Sequence, residues 1–372
     1  MTDAAFRLGV DATMLTSARA GVGNYVFNLL SELKRLPEPP DIFLYSPRAI
    51  AEDCRALGLY RECVGPRIRK SPLWRSVSLV PLLLRDRIDT FWGAAGFLPL
   101  LLPRGLRTVV TIYDLVERFA PDTMPAVNRW SHRVFKPLAA RTASAVVAIS
   151  ASTGAEMKRY WGRAPDAVVH PRIDPLFGVT VTQEKLASVV AKYQLPARFF
   201  LTLGTLEPRK NLRALLDAYS AARNRARGVL PALLLAGNAG WLDGEIRAQV
   251  DRLTAEGSVR WLGYVPQEDL PALYRACEVF VFVPVYEGFG MPVREALLSG
   301  ARVLASDIAA LREAGGRAPT YVSPDANAIR DALLRESRND PTPHAATSFD
   351  LQSEEIGSAA SFMNVLAGTR IS

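Results

Sequence analysis

The sequence predicts an α/β protein made of two doubly wound domains. Three observations carry this. Short apolar runs alternate with helical stretches along nearly the whole chain, the pattern of stacked strand–helix units. Most of the runs are apolar on both faces, as in parallel strands covered by helices. The chain has 372 residues, enough for two domains at roughly 150 residues each.

Strands are expected at Phe6–Val10, Ile42–Tyr45, Thr108–Ile112, Ala145–Ile149 and Ala167–Val169. A second series follows at Phe199–Leu203, Ala232–Ala236, Val259–Leu262, Val279–Val285 and Arg302–Ala305. Helical periodicity lies between them at Asn24–Lys34, Ala126–Ala140, Ala151–Tyr160, Leu212–Arg225, Gly244–Glu256, Pro271–Ala276 and Pro292–Ser299. The first series stops near residue 170, and a Pro-rich polar stretch, HPRIDPLFGVTVTQEK, follows it. This places one Rossmann-like domain at residues 1–178 and another at 179–350. After the polar linker RNDPTPH, a last helical run at 351–372 is expected to cross back to the first domain. Two such domains leave a cleft at the carboxyl ends of their strands, where open α/β sheets bind ligands.

Composition removes several function classes. The chain is 49% hydrophobic and 22% charged, ordinary for a folded domain. Cys54, Cys63 and Cys277 form no C-x-x-C pair, and the three histidines are scattered. Neither a disulfide framework nor a zinc site is expected. The start, MTDAAFRLGVDAT, has acidic residues and no apolar h-region, so no signal peptide and a cytoplasmic location are expected. No apolar stretch is long enough to span a bilayer.

The net charge of +8 is one-sided. Residues 1–176 hold 24 Lys and Arg against 16 Asp and Glu, and the remainder holds 21 of each. A basic half suits an anionic partner. Two basic, aromatic stretches, Arg67–Arg75 and Arg129–Lys136, fit an anionic membrane surface, nucleic acid, or a solvated helix face with its aromatic side chains in the core.

The sharpest chemical signal is VFVFVPVYEGFGMPVREALLSG. An apolar strand runs into a glycine turn, and Pro292 suits the first turn of the helix that follows. Amides of Phe289, Gly290 and Met291 at that helix start favour anionic groups. Glu287 at the strand end and Glu295 in the helix can face one crevice, and carboxylates suit sugar and ribose hydroxyls. The segment LTLGTLEPRKNLRALLDAY places Gly204 at a strand end, with Arg209 and Lys210 just before a helix. Asn211 is expected to cap that helix. Two cations at such a junction suit a diphosphate.

EGFGMPVRE resembles the E-x7-E signature of retaining glycosyltransferases of family 4, and the PRKN loop, LLLAGNAGW and VRWLGYVPQEDLPALYRACEVFVFVPVYEGFG fit the same pattern. The likeness is densest over residues 200–325 and nearest to bacterial mannosyltransferases of polysaccharide and O-antigen assembly. It implies the GT-B fold, an acceptor-binding first domain and a nucleotide-sugar, GDP-mannose, held by the second. It implies no cofactor and no metal, and no D-x-D occurs.

The resemblance further implies that Glu287 contacts the donor sugar, Glu295 the ribose, and Arg209 and Lys210 the leaving diphosphate. The amides of Phe289, Gly290 and Met291 would hold sugar or phosphate, and backbone near Tyr264 and Val265 would flank the nucleobase. The family's first loop maps to Gly21 and Gly23, with Asn24 and Tyr25 lining the cleft. On the bare residues, Gly21-Val22-Gly23 favours a tight turn over a phosphate loop.

After the strand VVTI the family often has His-Asp, and here Tyr113 and Asp114 stand. Tyr113 fits either a neutral donor in the cleft or packing at the strand end. Ser150 fits a helix cap and a cleft contact. The resemblance points to a glycan or polyprenyl-diphosphate-linked acceptor, no nucleic acid, and a peripheral position at the inner face of the membrane. A dehydrogenase is disfavoured by the incomplete glycine fingerprint. A non-catalytic sugar-nucleotide-binding protein is the remaining alternative.

Overall fold

The computed structural model describes residues 6–16, 21–56, 60–64, 74–124, 126–205, 207–227, 229–238, 244–338 and 359–368. They form two compact units. The first comprises 6–117, 126–172 and 359–368, and the second 118–124 and 173–338. The change of unit falls at Arg172/Ile173 rather than after residue 178. The cause is packing: Phe177 is part of the second unit's core and Ile173 lies against it.

The first unit is built on seven strands: β1 (Arg7–Asp11), β2 (Asp41–Ser46), β3 (Tyr60–Val64), β4 (Thr90–Gly93), β5 (Arg107–Ile112), β6 (Ala145–Ala148) and β7 (Ala167–Val168). Their order is β3-β2-β1-β4-β5-β6-β7, and every pairing is parallel. The chain winds outward from β1 and returns to β4 on its other side, so the strand order reverses between β1 and β4. On one face Phe43, Tyr45, Trp74 and Phe91 pack together over β2, β1 and β4, and further along the same face Val110, Ile112, Val146 and Met157 are buried over β5 and β6.

The Ala359–Ala367 helix belongs to this first unit. Its Phe362 and Leu366 are fully buried, with Phe362 edge-on to Trp92 at 4.9 Å. Burial of two such side chains contributes about 2 kcal/mol each. The helix end is held by side chains of the sheet. Thr90 Oγ1 donates to the Leu366 carbonyl, and Arg107 donates to those of Val365 and Leu366. Left-handed Gly368 (φ 83°) then closes it, the usual αL stop.

The second unit holds β8 (Phe199–Leu203), β9 (Ala232–Ala236), β10 (Val259–Gly263), β11 (Val279–Phe282), β12 (Val303–Ser306) and β13 (Thr320–Val322). Their order is β10-β9-β8-β11-β12-β13, again all parallel. Its reversal lies between β8 and β11. By the rule for doubly wound sheets, the crevice beyond the carboxyl ends of these two strands is the place for a ligand.

Three strands have no counterpart among the expected runs. β4 and β13 are only four and three residues long, and β3, YRECV, is interrupted by two adjacent charged residues and sits at the sheet edge. The run Val279–Val285 stops as a strand at Phe282, because Pro284 has no N–H to give to a ladder.

Candidate active site

Arg209 and Lys210 stand on a short 3-10 turn, Pro208–Lys210, beyond the end of β8, and Glu287 stands beyond the end of β11. The reversal of the sheet therefore brings them together. Glu287 Oε2 accepts from Arg209 Nη1 at 2.9 Å and from Lys210 Nζ at 2.8 Å. Arg209 Nε also donates to Glu207 Oε2 at 3.1 Å. Lys210 Nζ lies 4.7 Å from the centre of the Phe282 ring, a cation–π contact. Burial pulls the Lys210 ammonium below its ordinary value, against the pull of Glu287 in the other direction. The two loops are tied by their backbones, Val285 N–H donating to the Arg209 carbonyl at 3.0 Å.

Glycines make this close packing possible. Gly204 (φ 140°) ends β8 and Gly237 (φ 135°) ends β9. A Cβ on Gly237 would lie 2.0 Å from the Gly204 carbonyl oxygen, so only glycine fits. Gly290 (φ 107°) precedes the Met291–Leu298 helix, where a Cβ would meet Leu311 at 2.3 Å. In the first turn of that helix Pro292 has no N–H and the Val293 N–H donates to the Gly290 carbonyl at 3.0 Å, so the Met291 amide is the one without a partner inside the helix. Phe289 is buried, and Arg294 lies over its ring at 5.7 Å.

Glu295 lies in that helix and accepts from the Tyr274 hydroxyl at 3.2 Å. Burial pushes its carboxyl up to about 7, and Asp174 adds to the rise while Tyr274 and Lys210 oppose it. Glu287 and Glu295 thus both feel Lys210. At the end of β10, Tyr264 is 59% exposed while Val265 packs inward. Asn211 does not cap with its side chain. Its backbone is left-handed (φ 61°), and its Nδ2 donates to the Pro324 carbonyl at 2.7 Å.

The first unit distributes its expected site residues differently. Gly21 and Gly23 are the first and third residues of the Gly21–Leu33 helix, and Asn24 follows them on it. Tyr25 is buried, its hydroxyl donating to the Val169 carbonyl at 3.3 Å and its ring edge-on to Tyr113 at 5.4 Å. Tyr113 donates to the Ala94 carbonyl at 2.6 Å. Burial pushes both phenols far above their ordinary values. Tyr113 therefore packs at the strand end and joins the ends of β4 and β5. Ser150 is fully buried and is the N-cap of the Ala151–Trp161 helix, accepting from Thr153 N–H at 2.9 Å. The expected capping role is therefore the one seen within its own unit.

Asp114 is joined to a buried network the sequence did not show. Lys136 Nζ donates to Asp114 Oδ1 at 2.9 Å and to Glu117 Oε2 at 3.1 Å. These two carboxylates outweigh burial and hold the Lys136 ammonium above its ordinary value. Asp11, at the end of β1, is a further charged residue that the motifs do not mark. It accepts from Arg75 Nε at 2.7 Å and from Thr13 N–H at 3.1 Å. An Asp at the end of an apolar strand was the only available signal.

In the basic stretch Arg67–Arg75 the described residues put the aromatic side chain in the core, as one of its readings has it, while the arginine there is not solvated. Trp74 is fully buried, Arg75 pairs with Asp11, and residues 67–73 lie outside the described residues. Among the described residues, no helix is long and apolar enough to cross a membrane, and no group of three or more His, Cys, Asp or Glu could hold a metal ion.

Comparison with known proteins agrees with the two-sheet architecture. A family model described as Glycosyltransferase Family 4 matches residues 19–175, and one described as Glycosyl transferases group 1 matches residues 197–339. The chain is 33% identical over 271 residues to "O-antigen chain mannosyltransferase B" of Escherichia coli, covering 71% of this chain and 70% of that one. It is 34% identical over 241 residues to "Serotype-specific mannosyltransferase WbdA" of the same organism, spanning 61% of this chain but only 29% of that longer protein.

Among solved structures, it resembles Anabaena Alr3699/HepE in complex with UDP and glucose, with a TM-score of 0.70, 18% identity and coverage of 98% and 99% of the two chains. It also resembles WaaG, a glycosyltransferase involved in lipopolysaccharide biosynthesis, with a TM-score of 0.67, 14% identity and coverage of 98% and 100%. At such identities these likenesses speak for the fold, which is the GT-B fold of two doubly wound sheets. Matched by family models in both halves and one-third identical to a relative along most of its length, the chain belongs to the glycosyltransferases of family 4.

Proposed function

We propose that the protein transfers mannose from GDP-mannose, with retention of configuration and without a metal, to a hydroxyl of a lipid-linked glycan in cell-surface polysaccharide synthesis. The observation that carries this reading is the convergence of Arg209, Lys210 and Glu287 at the reversal point of the second sheet. Mannose as the sugar rests on the relatives' names.

In this reading, the diphosphate competes with Glu287 for the two cations. Arg209 and Lys210 neutralise charge that grows on the leaving phosphate, with the Met291 amide at the start of the Met291–Leu298 helix assisting. Glu287, freed from part of its pairing, accepts from sugar hydroxyls, and Glu295 accepts from the ribose. The acceptor oxygen bonds to the anomeric carbon from the face that the phosphate oxygen leaves. The acceptor proton passes to that departing oxygen. No side chain needs to act as base. The basic excess of the first half suits an acceptor at an anionic membrane, approached peripherally.

The test is a panel of nucleotide-sugars with a mannosylated lipid-linked acceptor, read by release of nucleoside diphosphate with and without a chelator. Release of GDP from GDP-mannose alone, unaffected by chelation, with an α-linked product, is expected. Release from UDP-sugars only would overturn the donor. Binding of GDP-mannose without release would leave a sugar-nucleotide-binding protein.

A further inference from the structure

The Ala126–Thr142 helix, AVNRWSHRVFKPLAART, is amphipathic in an unusual sense. Its inner side carries Lys136, Ala139 and Ala140, which are buried against β5 and the Asp114–Glu117 pair. Its outer side carries a second apolar row. Val127 is 79% exposed, Trp130 62%, Val134 40% and Leu138 42%. Spacings of three, four and four residues put these on one stripe. A solvated helix normally shows charged and polar residues there.

The charge around the stripe has one sign. The helix has Arg129, Arg133, Lys136 and Arg141 and no carboxylate. Lys136 is neutralised from within by Asp114 and Glu117, which leaves three arginines on the helix. Arg133 and Arg141 are exposed beside the apolar row. The adjoining loop, whose Phe97 lies edge-on to His132 at 5.3 Å, carries exposed Leu100 and Leu101 and then Arg104. Apolar side chains flanked by arginines, with a tryptophan among them, are what an interfacial helix presents to anionic headgroups. A protein partner would need shape complementarity that a narrow convex row does not offer, and the absence of acidic residues disfavours a second copy of this positive face.

We propose that this outer face of the Ala126–Thr142 helix is a docking surface for an anionic lipid bilayer. Trp130, Val134 and Leu138 enter the headgroup–acyl boundary, and Arg133 and Arg141 pair with lipid phosphates. The proposal rests on the membrane part of the reading above and names the surface that performs it. Transfer chemistry does not depend on it.

The full chain is to be sedimented with vesicles of phosphatidylglycerol and phosphatidylethanolamine, and with vesicles of phosphatidylcholine alone. Retention on the first, little on the second, and loss on adding salt are expected. Trp130→Glu and Val134→Glu replace exposed residues, so the fold should survive, as circular dichroism checks. Each should lower the vesicle partition coefficient roughly tenfold or more. Arg133→Glu should lower it less and weaken its salt dependence.

Parallel assays of GDP release with a water-soluble glycan acceptor separate the two readings. Release unchanged while vesicle binding is lost supports a docking role. Vesicle binding with no GDP release supports the surface and removes only the transferase reading. If the parent chain ignores anionic vesicles, or the Glu variants bind as the parent does, the proposal is overturned. It is equally overturned if the parent is a dimer that Trp130→Glu dissociates without any vesicle binding.

Discussion

Lys210 and Glu287 meet at 2.8 Å below the surface of the second unit, and Arg209 shares the same carboxylate oxygen at 2.9 Å. One carboxylate thus serves two cations. Replacing Glu287 by Gln keeps the shape and removes the charge. The expected result is a fall of about a hundredfold in kcat. It should also lose about 2 kcal/mol of stability, because a largely buried ammonium is left without its counter-charge. Steady-state GDP release and urea unfolding measure the two effects, and an unchanged kcat would remove Glu287 from the site.

Arg209→Ala and Lys210→Ala test the other side of the pair. Each should reduce kcat by about a hundred- to a thousandfold. The double variant should be little worse than either single one, since the two cations act on one leaving group. Full additivity of the two losses would show that they serve separate ligand groups.

Glu295 gives a pH signature. Its carboxyl titrates at about 7 in the fold against an ordinary value of 4.5. Between these values the folded chain keeps a proton that the unfolded chain has released, so stability falls as pH rises through that window and levels off above it. Glu295→Gln should flatten this slope in denaturation measured across the same range. The ionised form is the better acceptor for ribose hydroxyls, so the donor KM should fall as pH rises through about 7, and the Gln variant should lose that dependence.

Gly237→Ala would place a methyl group against the Gly204 carbonyl, on a backbone at φ 135°. Strain and clash together should cost about 3 kcal/mol. The displaced loop leads directly to Arg209 and Lys210, so thermal stability and turnover should fall together. A variant that melts like the parent would contradict the described close approach.

Lys136→Met leaves Asp114 and Glu117 without their shared cation. A loss of about 3 kcal/mol is expected, and a variant as stable as the parent would contradict the shared pairing. Equilibrium unfolding in urea checks this.

The second unit is the more legible half. Its strand–glycine–helix junctions are local in sequence, so the order of residues alone marks the PRKN turn and EGFGMP as neighbours of a crevice. Tyr274 as the partner of Glu295 is not readable that way, because it comes from another helix and reveals itself only by its hydroxyl distance. In the first unit the charged contacts link distant positions, such as Asp11 with Arg75 and Asp114 with Lys136. No periodicity records such pairs. Trp74 and Arg75 leave their readings open for the same reason: a basic, aromatic run looks alike whether it faces solvent or fills a core. Ser150 is readable as a cap from its place before a helix, but its complete burial is not.

The Ala359–Ala367 helix gives the chain a schedule. The first sheet emerges from the ribosome early, yet the helix that covers Trp92 and is held by Thr90 and Arg107 is made only after the whole second unit. The unit that begins later in the sequence has its last described element, which ends by residue 338, before the first unit has the Ala359–Ala367 helix. Synthesis from one end therefore favours completing the second unit before the first, reversing the order expected when domains mature as they are made.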